Sequence, residues 1–287
     1  MKKISIRWMG VLVACLVGQS AIAANADKNS IFTLGSLHGL FLSSRGYNLR
    51  DFIGAINLFR PQVILTEVRS EFPGPLEGSI DGGIEQSIVY AYGKLNGAEV
   101  VPVDWFDDDF LKESAQEDTQ VIPGLREKAL PIAKEYQRQI AIGTIFELHS
   151  QSTQSKSKQL HELDEKFGRL TWRKRNEKIC KNIQASVNSL HGKRILIIFG
   201  LDHKYYIDEF LQKAQTAPVS MQAWLSESML KKLQVPANLK DLSVENMKKS
   251  QSLLKTRLDS GFYKVDQSRL SQKLKEFDRW IDALKSI

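Results

Sequence analysis

The chain has 287 residues, 42% of them hydrophobic, and carries a formal charge of +7 with two cysteines. That is enough apolar material to bury a sizeable core in one large domain or two small ones. The positive charge is mild and comes without an Arg-rich cluster, which argues against nucleic acid as a partner. No zinc-finger, P-loop or Rossmann spelling occurs.

The first residues read as a targeting segment. Met1 to Arg7 is a basic n-region, Met9 to Gly18 an apolar stretch of h-region length, and Ala21-Ile-Ala23 a small-x-small cleavage site. That order is the one of a secretory signal peptide, residues 1–23. Its apolar run is too short to cross a bilayer of roughly 30 Å, so no transmembrane span is expected after cleavage. Leu12-Val-Ala-Cys15 also spells a lipobox, which would make Cys15 the lipid anchor of a lipoprotein. Cleavage there would leave apolar Leu16 to Ala24 at the mature N-terminus, so soluble export to the periplasm or the medium is the preferred reading. Cleavage after Ala23 removes Lys2, Lys3 and Arg7 and no acid, leaving +4 and a single cysteine, Cys180. Without an intramolecular disulfide, stability must come from the core. Cys180 sits in a helical pattern and reads as a packed small apolar residue.

After a polar lead, the first strand is predicted at about Ile31 to Gly35, and a helix near Leu49 to Arg60 follows from the spacing of Phe52, Ile53, Ile56 and Phe59. Pro61 stops it. The second strand is Gln62 to Glu67. Residues 69–83 hold two Pro and four Gly, which marks a long loop of the kind that is often functional. A helix from Ile84 to Leu95 and an Asn96-Gly97 turn lead to a third strand, Glu99 to Asp104. Strand–helix–strand–helix–strand predicts βαβ units in a parallel layer.

From Trp105 to about His191 the pattern turns helical. Asp107-Asp108-Asp109 suits a helix N-terminus, Leu125 to His149 reads as helix kinked at Pro131, and the Ser/Gln/Lys run Gln151 to Gln159 reads as a flexible joint. Leu160 to Leu190 then holds one or two helices that include Trp172-Arg-Lys-Arg-Asn176. The five-residue apolar run Ile195 to Phe199 is a strand buried on both faces, and a helix is expected soon after His203. Beyond Pro218 the apolar positions keep helical spacing, notably Leu270, Leu274, Phe277, Trp280, Ile281 and Leu284. The expected architecture is α/β, with a mostly parallel central sheet flanked by helices. Residues 24–217 form the domain, 105–190 a helical insertion, and 218–287 a helical extension packed on it.

Four predicted strands end in a functional side chain: His38, Glu67, Asp104 and His203. Parallel neighbours would bring all four to one edge of the sheet, where open α/β folds bind ligands. Both histidines close a Gly-x-x-His unit, Gly35 to His38 and Gly200 to His203, in which glycine lets the backbone turn without a Cβ penalty. A carboxylate behind an apolar run needs a crevice or a cation, which singles out Glu67. Two His, a Glu and an Asp suit a borderline divalent metal. They equally suit metal-free hydrolysis, with His as general base and Glu orienting it. On spacing alone Arg173, Arg175 and Asn176 form a solvated helix face, and His149, His161 and His191 read as surface residues.

The ordered set Gly35-Ser36-Leu37-His38, Glu67, Arg175-Asn176 and Gly200-Leu201-Asp202-His203 resembles the TraB/PrgY/GumN/Tiki superfamily, which groups with the ChaN-like and erythromycin-esterase-like fold. The resemblance covers residues 30 to about 215. It implies a layered α/β domain with a catalytic-type cleft at the strand ends. Tiki-like members are metal-dependent proteases, erythromycin-esterase-like members metal-free hydrolases, and ChaN-like members haem binders.

The expectation that follows is an exported, peptidase-like hydrolase acting on a peptide or small molecule. His38, His203 and Glu67 would bind a divalent metal (Zn, Mn or Co), with Glu67 as ligand or general base. Arg175 would stabilise the oxyanion and Asn176 orient it, while Arg173 and Asp104 would contact substrate. The alternatives are a metal-free esterase-like hydrolase and a non-catalytic binder of haem or metal through His38 or His203.

Overall fold

A computed structural model describes residues 28–263 and 267–287. The predicted signal peptide and the lipobox cysteine Cys15 lie outside the described residues.

The four apolar runs form four parallel strands, β1 (Ser30–Ser36), β2 (Val63–Arg69), β3 (Glu99–Asp104) and β4 (Arg194–Gly200), in the order β1-β4-β2-β3. Ile195 of β4 stands level with Ile31 of β1 and with Val63 of β2, and Val63 with Glu99 of β3. With the strands aligned in this way, all four C-terminal ends finish along one edge. Alternate residues serve two cores. Phe32, Leu34, Ile64, Leu196 and Ile198 join one, and Ile31, Val63, Leu65, Ile195, Ile197 and Phe199 the other. This is the two-sided burial that parallel strands require, and it is why the sequence shows continuous apolar runs rather than alternation.

Helix α1 (Leu49–Phe59) returns the chain over the first face, and α2 (Pro75–Asp81) and α3 (Ile84–Asn96) carry it from β2 to β3. Helix α1 opens on a capping box: the Asn48 side chain accepts from the Arg50 and Asp51 amides, and the Asp51 carboxylate accepts from the Asn48 amide. It closes on Arg60 at φ +52° before Pro61. Five helices then separate β3 from β4: α4 (Asp108–Thr119), α5 (Leu125–Ile142), α6 (Ile145–Leu148), α7 (Gln151–Lys166) and α8 (Thr171–Asn188). Helix α8 and the following α9 (Leu201–Lys213) cover the second face through Ile179, Cys180, Ile183, Ile207 and Leu211. Cys180 is thus a packed core residue. Connections leaving β1 and β2 go to one face and the connection leaving β4 to the other, so β4 marks a switch point where a crevice must open. Three more helices, α10 (Glu227–Lys232), α11 (Ala237–Asp259) and α12 (Gln267–Ser286), complete the described chain. Helix α11 packs on α2, α3 and α12, and α12 also reaches the short 3-10 turn His38–Leu42.

Several expectations need correction. The loop expected over residues 69–83 contains α2, which begins with Pro75 at its first position after Gly74 at φ +109°. Proline is preorganised there and its missing N–H costs nothing, so the Pro/Gly content marked a helix start. The flexible joint over Gln151–Gln159 is helix α7, capped by Ser150 and buried along Thr153, Gln154 and Ser157. Small polar residues can face a core when their hydroxyls reach backbone carbonyls, as Thr153 Oγ1 does at Glu147 O (2.8 Å). The helix expected across Pro131 is present as α5. Helix α9 begins at Leu201, so His203 stands in its first turn rather than ahead of it.

Both sheet edges carry groups from elsewhere in the chain. On β1 the Val219 amide donates to Ile31 O (2.7 Å), and the Gly35 amide donates to His149 Nε2 (2.8 Å). On β3, Pro102 offers no N–H, and Asn182 of α8 donates to Val103 O (3.1 Å). His149, expected at the surface, is therefore a structural group. Its Nδ1–H donates to Ile145 O (2.7 Å) while Nε2 accepts, a pattern open only to the neutral ring. Burial, reinforced by Lys204, pushes its pKa down to about 3.

An unfolded histidine takes up a proton below about 6.5, whereas folded His149 resists to about 3, so stability present above pH 6.5 is lost as the pH falls through that window. We expect urea midpoints to fall between pH 7 and pH 4, and to fall less steeply in a His149→Ala variant that starts from lower stability. Equal slopes for the two proteins would show that His149 is not a source of the acid sensitivity.

Candidate functional site

The strand ends are drawn together by two glycines, for a reason other than the expected one. Gly200 has φ −49°, which any residue can adopt, so its backbone needs no special freedom. A Cβ there would stand 2.5 Å from His38 Nε2 and 3.4 Å from Glu67 Oε2. Gly35 is tighter still: its Cβ would meet the Leu201 side chain at 2.4 Å. Each Gly-x-x-His glycine makes room for the other unit, which explains why the spelling occurs twice. His38 opens the 3-10 turn after β1 at φ +48°, a conformation that costs a non-glycine residue energy and turns its ring toward β4.

Glu67 is the hub. Its Oε2 accepts the Gly200 amide at 2.6 Å and lies 3.4 Å from His38 Nε2. Its Oε1 accepts Arg175 Nη2 at 2.9 Å and lies 3.6 Å from His203 Nε2. Arg175 also grips Asp104, through Nε at 3.1 Å and Nη2 at 2.6 Å, and its guanidinium packs on Phe106. The structure therefore brings His38, Glu67, Asp104, Arg175 and His203 into one cluster. Asn176 joins it one step out: its amide donates to Trp172 O (2.8 Å), which leaves its Oδ1 to accept from His203 Nδ1–H (2.8 Å).

Charge follows from this arrangement. Burial opposes ionisation of Glu67, but His38, His203 and Arg175 outweigh it and hold the carboxyl well below its ordinary range. Burial likewise works against a charged His38, yet the Glu85 and Glu67 carboxylates win and raise it well above 6.5. For His203 burial prevails; Glu67 offsets it only in part, Arg175 reinforces it, and the pKa falls to about 3. Burial pushes Asp104 up against the pull of Arg175. At neutral pH His38 is an imidazolium, Glu67 a carboxylate, Arg175 a guanidinium and His203 a neutral imidazole.

Sequence reading missed two members. Glu85, fully buried in the first turn of α3, meets His38 Nδ1 at 2.5 Å. Trp172 stacks on the His203 ring, with centroids 4.2 Å apart. The signal for Glu85 was an acidic residue one position into an apolar helix; spacing gave none for Trp172. His161 is no surface residue either: it stacks between Trp172 (3.9 Å) and Tyr205 (5.7 Å), and burial pushes it down to about 4. His191 is exposed as expected. Arg173 does not reach the site. It pairs on the helix surface with Glu165 (3.5 Å) and Glu177 (3.4 Å), the solvated face that spacing suggested.

The cluster opens into a cleft of about 320 Å³ walled by Asp81, Phe106, Phe110, Leu111, Ser114 and Arg269. His38, its side chain 39% exposed, is the wettest member, whereas His203 keeps only 4%. A divalent metal would suit the donor types, since both Nδ1 atoms are tethered and both Nε2 atoms face Glu67. The spacing does not follow. Among the described residues no group of three or more His, Cys, Asp and Glu converges to hold a metal ion. A haem ligand would have to be His38, because His203 lies beneath Trp172. Among the described residues no helix is long and apolar enough to cross a membrane.

No protein-family model matches the chain, and no curated protein or solved structure matches it.

Arg175 is the fixed cation shared by two buried carboxylates. Replacing it with Met should lower unfolding free energy on the order of 3 kcal/mol, the cost of leaving buried charge uncompensated. Adding Asp104→Asn should return part of it. A denaturation midpoint unmoved by Arg175→Met would show that the carboxylates do not depend on it.

Proposed function

We infer that the chain is a hydrolase, peptidase-like in its substrate and exported as its first residues suggest, in which the Glu67 cluster activates water without a metal step. The observation that carries this reading is the pairing of an ionised, buried Glu67 with a cationic His38 3.4 Å away at the mouth of a cleft. One group can take a proton while its neighbour gives one.

Glu67 Oε1 and His203 Nε2 are both acceptors, 3.6 Å apart. A water donating to Glu67 from the cleft would be aimed at a carbonyl carbon there, with His203 Nε2 behind the carboxylate as a second acceptor. As the water attacks, its proton passes to Glu67, and the carbonyl oxygen gathers negative charge. His38 Nε2–H and the Arg175 guanidinium supply donors for that charge. When they turn from Glu67 to the oxyanion, the carboxylate loses its stabilisers and gains basicity at the moment it must accept the proton. His38 then gives its proton to the leaving group, and Glu67 returns one to His38, which restores both. Asn176 keeps His203 in the tautomer whose Nε2 accepts.

The cleft shape supports an extended substrate. Cavities of about 220 and 230 Å³ flank it, sharing Asp81, Leu111 and Arg269 on one side and Phe110, Ser114 and Arg175 on the other. Helix α4 lines all three and buries none of its 12 residues. Its length of about 18 Å matches roughly five residues of extended chain.

Two outcomes test the reading. Glu67→Gln should reduce hydrolysis of any substrate found in a peptide library by at least about 10²-fold, with activity in wild type surviving chelation and metal analysis finding no stoichiometric zinc, manganese or cobalt. Activity that needs an added metal would replace this mechanism with a metal-assisted one. The rate should also hold over a broad pH range. Its acid limb should lie below the ordinary glutamate range, where Glu67 protonates, and its alkaline limb above pH 6.5, where His38 discharges. An alkaline limb at or below pH 6.5 would remove His38 as the proton donor.

A further inference from the structure

The cluster contains a buried carboxylate that the mechanism above does not use. Glu85 has no exposed surface, its Oε1 meets His38 Nδ1 at 2.5 Å, and its Oε2 is buried without a hydrogen-bond partner. A carboxylate in that position is costly unless something of value depends on it. Its surroundings are built to hold it: Gly83 leaves space where a Cβ would stand 3.1 Å from Glu85 Oε2. The turn that presents it is clamped from the far end of the chain. Lys273 of α12 donates through Nζ to Ile80 O (2.6 Å), Asp81 O (3.0 Å) and Gly82 O (3.4 Å), the carbonyls that close α2 just ahead of α3. A cation there also complements the C-terminal end of α2. The same α12 lies against the turn that carries His38: a Cβ on Gly39 would stand 3.8 Å from Glu276 Oε2 and 3.9 Å from Trp280 Nε1.

We propose that Glu85 is the positioning residue of the site, fixing the His38 ring through Nδ1 so that Nε2 is presented to Glu67 and the cleft, and that α12 sets this geometry through Lys273. The φ of +48° turns the His38 ring toward β4, but with more than a third of its side chain exposed, packing alone does not hold the ring in one orientation. The hydrogen bond from Nδ1 to a rigid, buried acceptor does. A carboxylate, helix α3 and the C-terminal helix are thereby joined to the chemistry without touching substrate. The C-terminal helices, polar in sequence and outside the family resemblance, acquire a function as the back wall of the site.

The kinetic part of the test rests on the hydrolase reading; the spectroscopic part does not. Full-length Glu85→Gln, Lys273→Met and Lys273→Arg proteins are compared with wild type by ¹⁵N–¹H NMR of the His38 ring at fixed pH. Folding is checked by near-ultraviolet circular dichroism. Expected are a hydrogen-bonded Nδ1 proton on His38 in wild type, its loss or large upfield shift in Glu85→Gln, a smaller shift in Lys273→Met, and near-restoration in Lys273→Arg. With a hydrolysed substrate in hand, Glu85→Gln should lower kcat by about 10²-fold or more with KM little changed, and Lys273→Met by up to about 10²-fold through misplacement of the ring. His38 resonances unaltered in Glu85→Gln overturn the proposal whether or not any substrate is known. So does a change confined to KM. Unaltered resonances in a folded Lys273→Met protein remove the role of α12. If Glu85→Gln does not fold, the Lys273 pair decides, because a merely structural Lys273 would leave the His38 signature in place.

Discussion

The structure turns on one carboxylate held away from water. Glu67 keeps 9% of its side-chain surface, and a charge so placed costs several kcal/mol unless it is compensated. Its compensation comes from parts of the chain far apart in sequence: the Gly200 amide at the end of β4, the Arg175 guanidinium from α8, and the His38 ring after β1. The Gly200 and His38 contacts need the ends of β4 and β1 beside that of β2. The charge therefore penalises other strand orders, and it ties α8, the last helix of the long insertion, to the sheet it covers. Arg175 extends the tie to Asp104, so all four strand ends share a single electrostatic balance.

What could be read from sequence was what depends on local pattern. All four strands lie within a residue or two of their expected limits, because continuous apolar runs bounded by polar residues have few other uses. The strand-end residues His38, Glu67, Asp104 and His203 do meet, since aligned parallel strands leave them no choice. What escaped was long-range. Small polar residues such as Thr153 and Ser157 look like linker until the carbonyls that receive their hydroxyls are known. Glu85 and Trp172 become part of the site only through where α3 and α8 are docked. His149 and His161 looked like surface residues because their neighbours in sequence are polar, while their neighbours in space are Phe32, Tyr47, Trp172 and Tyr205.

The two Gly-x-x-His units show how far identical spelling can diverge. His38 lies between two carboxylates with an edge in solvent, and it is held charged. His203 lies under an indole with an amide oxygen on one nitrogen, and it is held neutral. A symmetric motif thus yields an asymmetric pair, one donor and one acceptor on either side of Glu67. Acid–base chemistry needs that asymmetry, and it comes from α3 and α8 rather than from the motif.

The coverage of the outer strands carries a consequence for the chain in a crowded compartment. A four-stranded parallel sheet exposes two rims of unpaired backbone groups, which can template the strands of another molecule. Here the β1 rim is occupied by an imidazole and by the Val219 amide, and the β3 rim by a proline and the Asn182 carboxamide. Side chains and a single backbone amide, rather than further strands, terminate the ladder. These contacts leave fewer free backbone groups for intermolecular pairing along both rims, and acid that protonates His149 would free the Gly35 amide on the β1 rim.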